Sequence, residues 1–228
     1  MKLDSSLTYW CGMLWHSHIP PSTRTNRVQR SSAPVLSAAG LFVFFASACP
    51  ACAQNRSDFP LSHKGSREIS IRASEIVMIN TGTALLSTAA VRYGLVLTDP
   101  VGKGRLCGTF EYTVDLLPMV LMTKPSLIYG AGLAPFGAKW NFFANPRLRP
   151  YGEAVFGAVY GTSHIPPGDT KFNFTVNAGV GLTLLSRGNQ ELTAGFDFSR
   201  LSNAYLGPYN PNLNGVAFVI EYHWLKPK

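Results

Sequence analysis

The sequence predicts an all-β protein, an eight-stranded antiparallel up-and-down transmembrane β-barrel over residues 67–228. Three observations carry this. Eight extended segments are separated by turn signals. The longer segments alternate large apolar residues with polar or small ones, the period of a strand with two unlike faces. Only 14% of the 228 residues are charged while 46% are hydrophobic, less polar surface than a soluble globule uses.

The segments lie at Arg67–Met78, Ala84–Leu97, Gly108–Met122, Leu127–Phe142, Tyr151–Thr162, Lys171–Leu184, Glu191–Ser202 and Gly215–Trp224. Asn80-Thr-Gly82, Asp99-Pro-Val-Gly102, Asn145-Pro146, Pro166-Pro-Gly-Asp169 and Arg187-Gly-Asn189 punctuate them. In the third segment Phe110, Tyr112, Val114 and Leu116 face one way, and Thr109, Glu111, Thr113 and Asp115 the other. The sixth sets Phe172, Phe174, Val176 and Val180 against Asn173, Thr175, Asn177 and Gly181. The eighth sets Val216, Phe218, Ile220, Tyr222 and Trp224 against Ala217, Val219, Glu221 and His223.

Two architectures satisfy this pattern. A lipocalin-like periplasmic barrel turns its apolar face inward around a ligand, whereas an outer-membrane barrel turns it outward into lipid. The polar faces carry Glu111, Asp115, Lys139, Glu153, Asp197 and Glu221, which a narrow interior pairs with one another. Strands of ten or more residues fit a tilted spanning strand. Both points favour the membrane barrel, in which closure leaves no unpaired strand edge in lipid.

Residues 1–53 read as a leader with a secretory signal peptide: Arg24, Arg27 and Arg30, then the apolar run Val35–Ala48, then Ala51-Cys-Ala53 before Gln54. Residues 54–66 read as a linker. Cys11, Cys49 and Cys52 fall in the leader, so the mature chain is expected to hold Cys107 alone and no intrachain disulfide. Of the net charge of +8, the leader accounts for +3 and the remainder for +5. The basic residues are dispersed, which argues against a nucleic-acid partner. No metal-ligand spacing and no cofactor motif is present.

The chemistry concentrates in Phe196–Asn214. Arg200 and Ser202 share parity with Phe196 and Phe198, and Asn214 shares parity with Val216 and Phe218. If those rows face lipid, all three project from the outer wall. Serine needs a base to become a useful nucleophile, and arginine stays protonated. Plain structural roles stand beside these: Ser202-Asn203-Ala204 as a turn, Arg200 as a cation reaching headgroups, His164 as a loop residue and His223 as an interior one.

Phe198-Ser-Arg-Leu-Ser-Asn-Ala204 followed by Asn210-Pro-Asn-Leu-Asn214 resembles the C-terminal motif of the PagL-like lipid A 3-O-deacylase (acyloxyacyl hydrolase) family. Tyr129-Gly-Ala-Gly-Leu-Ala-Pro135, Lys139-Trp-Asn-Phe142, Arg149-Pro-Tyr-Gly-Glu153 and Phe172-Asn-Phe174 extend the likeness over roughly 84–224. The resemblance implies an outer-membrane barrel of a Gram-negative envelope that hydrolyses an acyl ester of lipid A. The family motif reads His-x-Ser-Asn-Ala with a later Glu. By position Ser202 matches the nucleophile, Arg200 stands at the His and Asn214 at the Glu. Asn203 matches the motif Asn, and Asn210 falls where an oxyanion-supporting amide is expected. The expected function is therefore lipid A acyl-ester hydrolysis with Ser202 as nucleophile, weakened by Arg200 and Asn214. A non-catalytic lipid-binding barrel and a periplasmic carrier of an apolar ligand are the alternatives.

Overall fold

The computed structural model describes residues 61, 63–80, 84–143, 149–165, 170–207 and 209–228. The leader at 1–53, its signal peptide and three cysteines, most of the linker, and the turns at Asn145-Pro146 and Pro166–Asp169 lie outside the described residues.

Eight strands close into one antiparallel barrel in sequence order: β1 (Arg67–Met78), β2 (Leu85–Val96), β3 (Gly108–Lys124), β4 (Ile128–Phe142), β5 (Pro150–Gly161), β6 (Phe172–Arg187), β7 (Gln190–Ser202) and β8 (Leu213–Lys226). β8 returns to pair with β1, so the sheet has no free edge. The strands begin and end within three residues of the expected segments. β3 and β6 run longer because bulges let them continue past the breaks in alternation.

Sidedness follows the alternation. Ile69, Ile71, Val91, Phe136, Val180, Phe196 and Phe218 are exposed on the outer wall. Arg72, Arg92, Lys139, Glu68, Glu111 and Glu221 are buried inside. A carrier with an apolar lumen is thereby excluded, and the wall is that of a barrel immersed in lipid.

The interior has two storeys. The one at the end where β1 begins and β8 ends is charged. Arg92 grips Asp115 with two hydrogen bonds of 2.6 and 2.8 Å and reaches Glu153 at 2.6 Å. Arg72 bonds Glu153 at 2.6 Å and also Asp197. Lys139 lies 3.1 Å from Glu68. His223 links Glu68 at 3.2 Å to the Thr193 hydroxyl at 3.1 Å. Glycine makes room for these groups: a Cβ on Gly94 would lie 1.9 Å from a Glu111 oxygen, and one on Gly179 2.1 Å from Asp197.

The upper storey, towards the Ser202 end, departs from the expected polar interior. Ile76, Met78, Leu86, Val120, Met122, Leu201 and Leu213 form an apolar plug there. Two prolines help explain the changed parity. Pro118 and Pro135 sit inside the register shifts between Leu117 and Val120 and between Leu133 and Phe136. Proline donates no ladder bond, so it belongs at a bulge. Each extra residue turns the following side chains over, which brings Val120 and Met122 inward.

A second departure concerns Cys107. It is disulfide-bonded, with its partner outside the described residues. The expectation of an unpaired Cys107 rested on removal of every other cysteine with the leader.

Candidate functional site

Ser202 is the last residue of β7, and the chain reaches β8 through residues 203–212. Asn203 organises that connection. Its side-chain oxygen accepts from the Tyr205 amide at 2.8 Å and its Nδ2 donates to the Tyr209 carbonyl at 2.8 Å. The Leu206 amide donates to the Asn203 carbonyl at 3.0 Å. Ala204, Tyr205 and Asn212 have φ of 52°, 62° and 49°, a left-handed backbone that such side-chain bonds help hold. Asn203 is fully buried. It acts as a strut of the loop, with its amide directed away from the wall that carries Ser202.

Ser202, Arg200 and Asn214 all face outward, as strand parity requires. Arg200 and Asn214 are directly opposed across β7 and β8. Asn210 Nδ2 donates to Ser202 Oγ at 3.1 Å, and the Ala204 amide donates to the same oxygen at 3.2 Å. Asn210 therefore lies beside the hydroxyl, whereas Arg200 is turned elsewhere: its Nη2 donates to Asn212 Oδ1 at 2.9 Å.

Two residues join the site without a sequence expectation behind them. Asn212 receives Arg200, and Asn80, from the β1–β2 connection, donates through Nδ2 to the Asn212 carbonyl. The Asn214 amide donates to Asn80 Oδ1 at 2.9 Å. Asn212 was legible as part of an asparagine-rich run. Asn80 is 134 positions from Asn214 and reaches it only because β8 closes on β1.

The cluster holds a hydroxyl, a guanidinium and amides. Among the described residues no imidazole or carboxylate is hydrogen-bonded to Ser202. His223, the histidine nearest by sequence, points inside. The side-chain oxygen of Asn214 is buried and has no hydrogen-bond partner.

An apolar groove begins next to this cluster. Ser202 pairs with Phe174, Phe174 with Ala158 and Ala158 with Leu133 across β7, β6, β5 and β4. Ala131, Leu133, Phe136, Ala158, Tyr160 and Phe174 line a groove of about 640 Å³ there. Small residues on β4 and β5 form its floor and aromatic rings its sides, a shape suited to an alkyl chain.

Glu68, Glu221 and His223 offer three ligand atoms within 4.8 Å of one another in the interior. Lys139 stands 3.1 Å from Glu68 and Arg92 3.4 Å from Glu221, so cations already meet these carboxylates.

A family model described as lipid A 3-O-deacylase (PagL) matches residues 107–223. The crystal structure of the outer membrane enzyme PagL superposes with a TM-score of 0.50 and 16% identity, covering 67% of this chain and 97% of that one. The outer membrane protein OprG from Pseudomonas aeruginosa gives 0.42 and 8%, covering 74% and 99%. Neisserial surface protein A gives 0.38 and 14%, covering 72% and 100%. No curated protein sequence matches.

Proposed function

The chain belongs to the lipid A 3-O-deacylase (PagL) family, and from that premise we propose that it binds lipid A on its outer wall without driving the family's hydrolysis at a useful rate. Ser202 holds the nucleophile position in this reading. The observation that carries it is the set of partners around Ser202: Asn210, the Ala204 amide, and no base.

Acyl-ester hydrolysis asks three things of the wall. The acyl chain must lie along it, which the groove from Phe174 to Leu133 supports. A donor must meet the oxyanion, and Asn210 Nδ2 is available beside Ser202. A base must take the Ser202 proton as Oγ attacks the carbonyl carbon, and must return it to the leaving alkoxide. Arg200 cannot take that proton. Asn214 forms hydrogen bonds but carries no charge with which to stabilise an imidazolium. Arg200 instead offers its planar donor fork to a phosphate of the lipid.

Mass spectrometry of lipid A from cells expressing the chain tests this. The wild type should leave the acyl pattern intact. Arg200→His with Asn214→Glu should remove one hydroxyacyl chain, and adding Ser202→Ala should abolish that gain. Deacylation by the wild type that Ser202→Ala stops would replace the binding role with an active enzyme.

Export through the leader 1–53 is part of the same proposal. Cleavage after Ala53 leaves a chain from Gln54 with Cys107 as its single cysteine. The mass of the mature protein, with and without reduction, decides between that start and one retaining the disulfide of Cys107.

A further inference from the structure

We propose that the barrel end at which β1 begins and β8 ends is a docking collar for anionic phospholipid headgroups, with Arg67 and Lys226 forming a phosphate seat beside Trp224. The first observation is an unfavourable pairing. Arg67 opens β1 and Lys226 closes β8, and the two are direct cross-strand partners on the outer face. Like charges in that position repel. Neither has an ion-pair partner among the described residues. An anion seated between them turns the repulsion into two attractive contacts.

The second observation is the charge of the whole rim. Arg187 ends β6 with its side chain exposed, and Lys103, Arg105 and Lys228 are exposed at the same end. Asp99 is the exposed carboxylate described there. A rim of one sign attracts a surface of the other.

The third observation selects a lipid over a soluble anion. Two pairs further along the same strands, the next pair on the outer face sets Ile69 against Trp224. Both are exposed, and Trp224 packs edge-on against Tyr222 with centroids 4.8 Å apart. Indole and phenol rings favour the headgroup level of a bilayer. A phosphate at Arg67 and Lys226 therefore has apolar wall directly beside it, where its acyl chains continue along Ile69 and Ile71. A free phosphate gains nothing from that wall.

Trp224 supplies the measurement. The full chain, with Trp10, Trp15 and Trp140 replaced by Phe, is folded into vesicles doped with brominated phosphatidylglycerol or brominated phosphatidylcholine, and quenching of Trp224 is compared. The seat predicts preferential quenching by phosphatidylglycerol, on the order of fivefold or more in relative affinity. The preference should survive Arg67→Lys, survive Lys124→Gln at the opposite end, and fall to near unity in Arg67→Gln with Lys226→Gln. Equal quenching by the two lipids in the starting protein overturns the proposal, whether or not the double variant folds. So does a preference that the folded double variant retains. Inorganic phosphate should reduce the preference no more than chloride of equal ionic strength; stronger competition would identify a free-phosphate site and overturn the lipid assignment.

Discussion

Two regions of this barrel hold the ingredients of a hydrolytic site, on opposite faces of the same strands. Inside, Thr193, His223 and Glu68 form a hydroxyl–imidazole–carboxylate chain with contacts of 3.1 and 3.2 Å. All three are buried, so no bilayer lipid reaches them. Outside, Ser202 is only partly buried and opens beside a groove of about 640 Å³, but amides surround it. The difference teaches that residue type carries catalytic meaning only on the face the substrate meets. Strand parity decides that face, and a shift of one residue exchanges the two environments. The regions also differ in energetic role. The interior charges hold one another out of water and lipid, whereas the outer amides hold a surface loop.

The largest test of that contrast strikes the interior. Arg92→Met strands Asp115 as an unpaired buried carboxylate and leaves Glu153 with Arg72 alone, which costs about 3–5 kcal/mol. Heat-dependent gel mobility and urea unfolding should show a barrel that folds poorly or not at all. An unchanged unfolding midpoint would mean that the charged storey does not hold the barrel.

Next in size is the supply of a base to the outer wall. In the Arg200→His and Asn214→Glu background the hydroxyl regains its partner, and deacylation should rise by about 10²–10⁴-fold. If folded protein with both changes leaves lipid A intact, the outer wall lacks more than a base.

Removal of the interior imidazole separates the regions. His223→Phe takes the partner from Thr193 and one of two partners from Glu68, which keeps Lys139, at a cost of about 1–3 kcal/mol. It should lower the unfolding midpoint while leaving the regained deacylation per folded molecule unchanged. A parallel loss of turnover would link interior to wall.

Filling the groove comes after that. Ala158→Trp occupies its floor beside Phe174. Stability should change by no more than about 0.5 kcal/mol, while lipid A binding and the regained deacylation both fall. Undiminished binding would move the acyl chain to another part of the wall. The smallest effect belongs to Ser202→Ala: its bonds are local and its site half open, so the unfolding midpoint should stay within about 0.5 kcal/mol of wild type.

The strands were legible because their alternation is local. Phe110, Tyr112 and Val114 against Thr109, Glu111 and Thr113 declare two faces without reference to the rest of the chain. The same parity placed Arg200, Ser202 and Asn214 on the wall, where they lie. The apolar upper storey was harder to read. Ile76, Val77, Met78 and Ile79 are apolar on both faces, and such a run does not say which face turns inward. Pro118 and Pro135 sit at the bulges, but a proline in the sequence does not state that a bulge forms or how many residues it inserts. The strut role of Asn203 was hidden too, because a motif match identifies a position and not the direction of its amide.

By itself, then, the sequence determined the strands with their two unlike faces and the shortage of a base at Ser202, and it favoured the wall that faces lipid. Each rests on period, charge or residue chemistry, which need only near neighbours. The tertiary structure alone decided who meets whom. It turned Arg200 to Asn212 rather than Ser202, brought Asn80 to Asn214, and set Arg67 against Lys226. Those contacts depend on the register with which the strands pair and β8 closes on β1, and register is a property of the whole closed sheet.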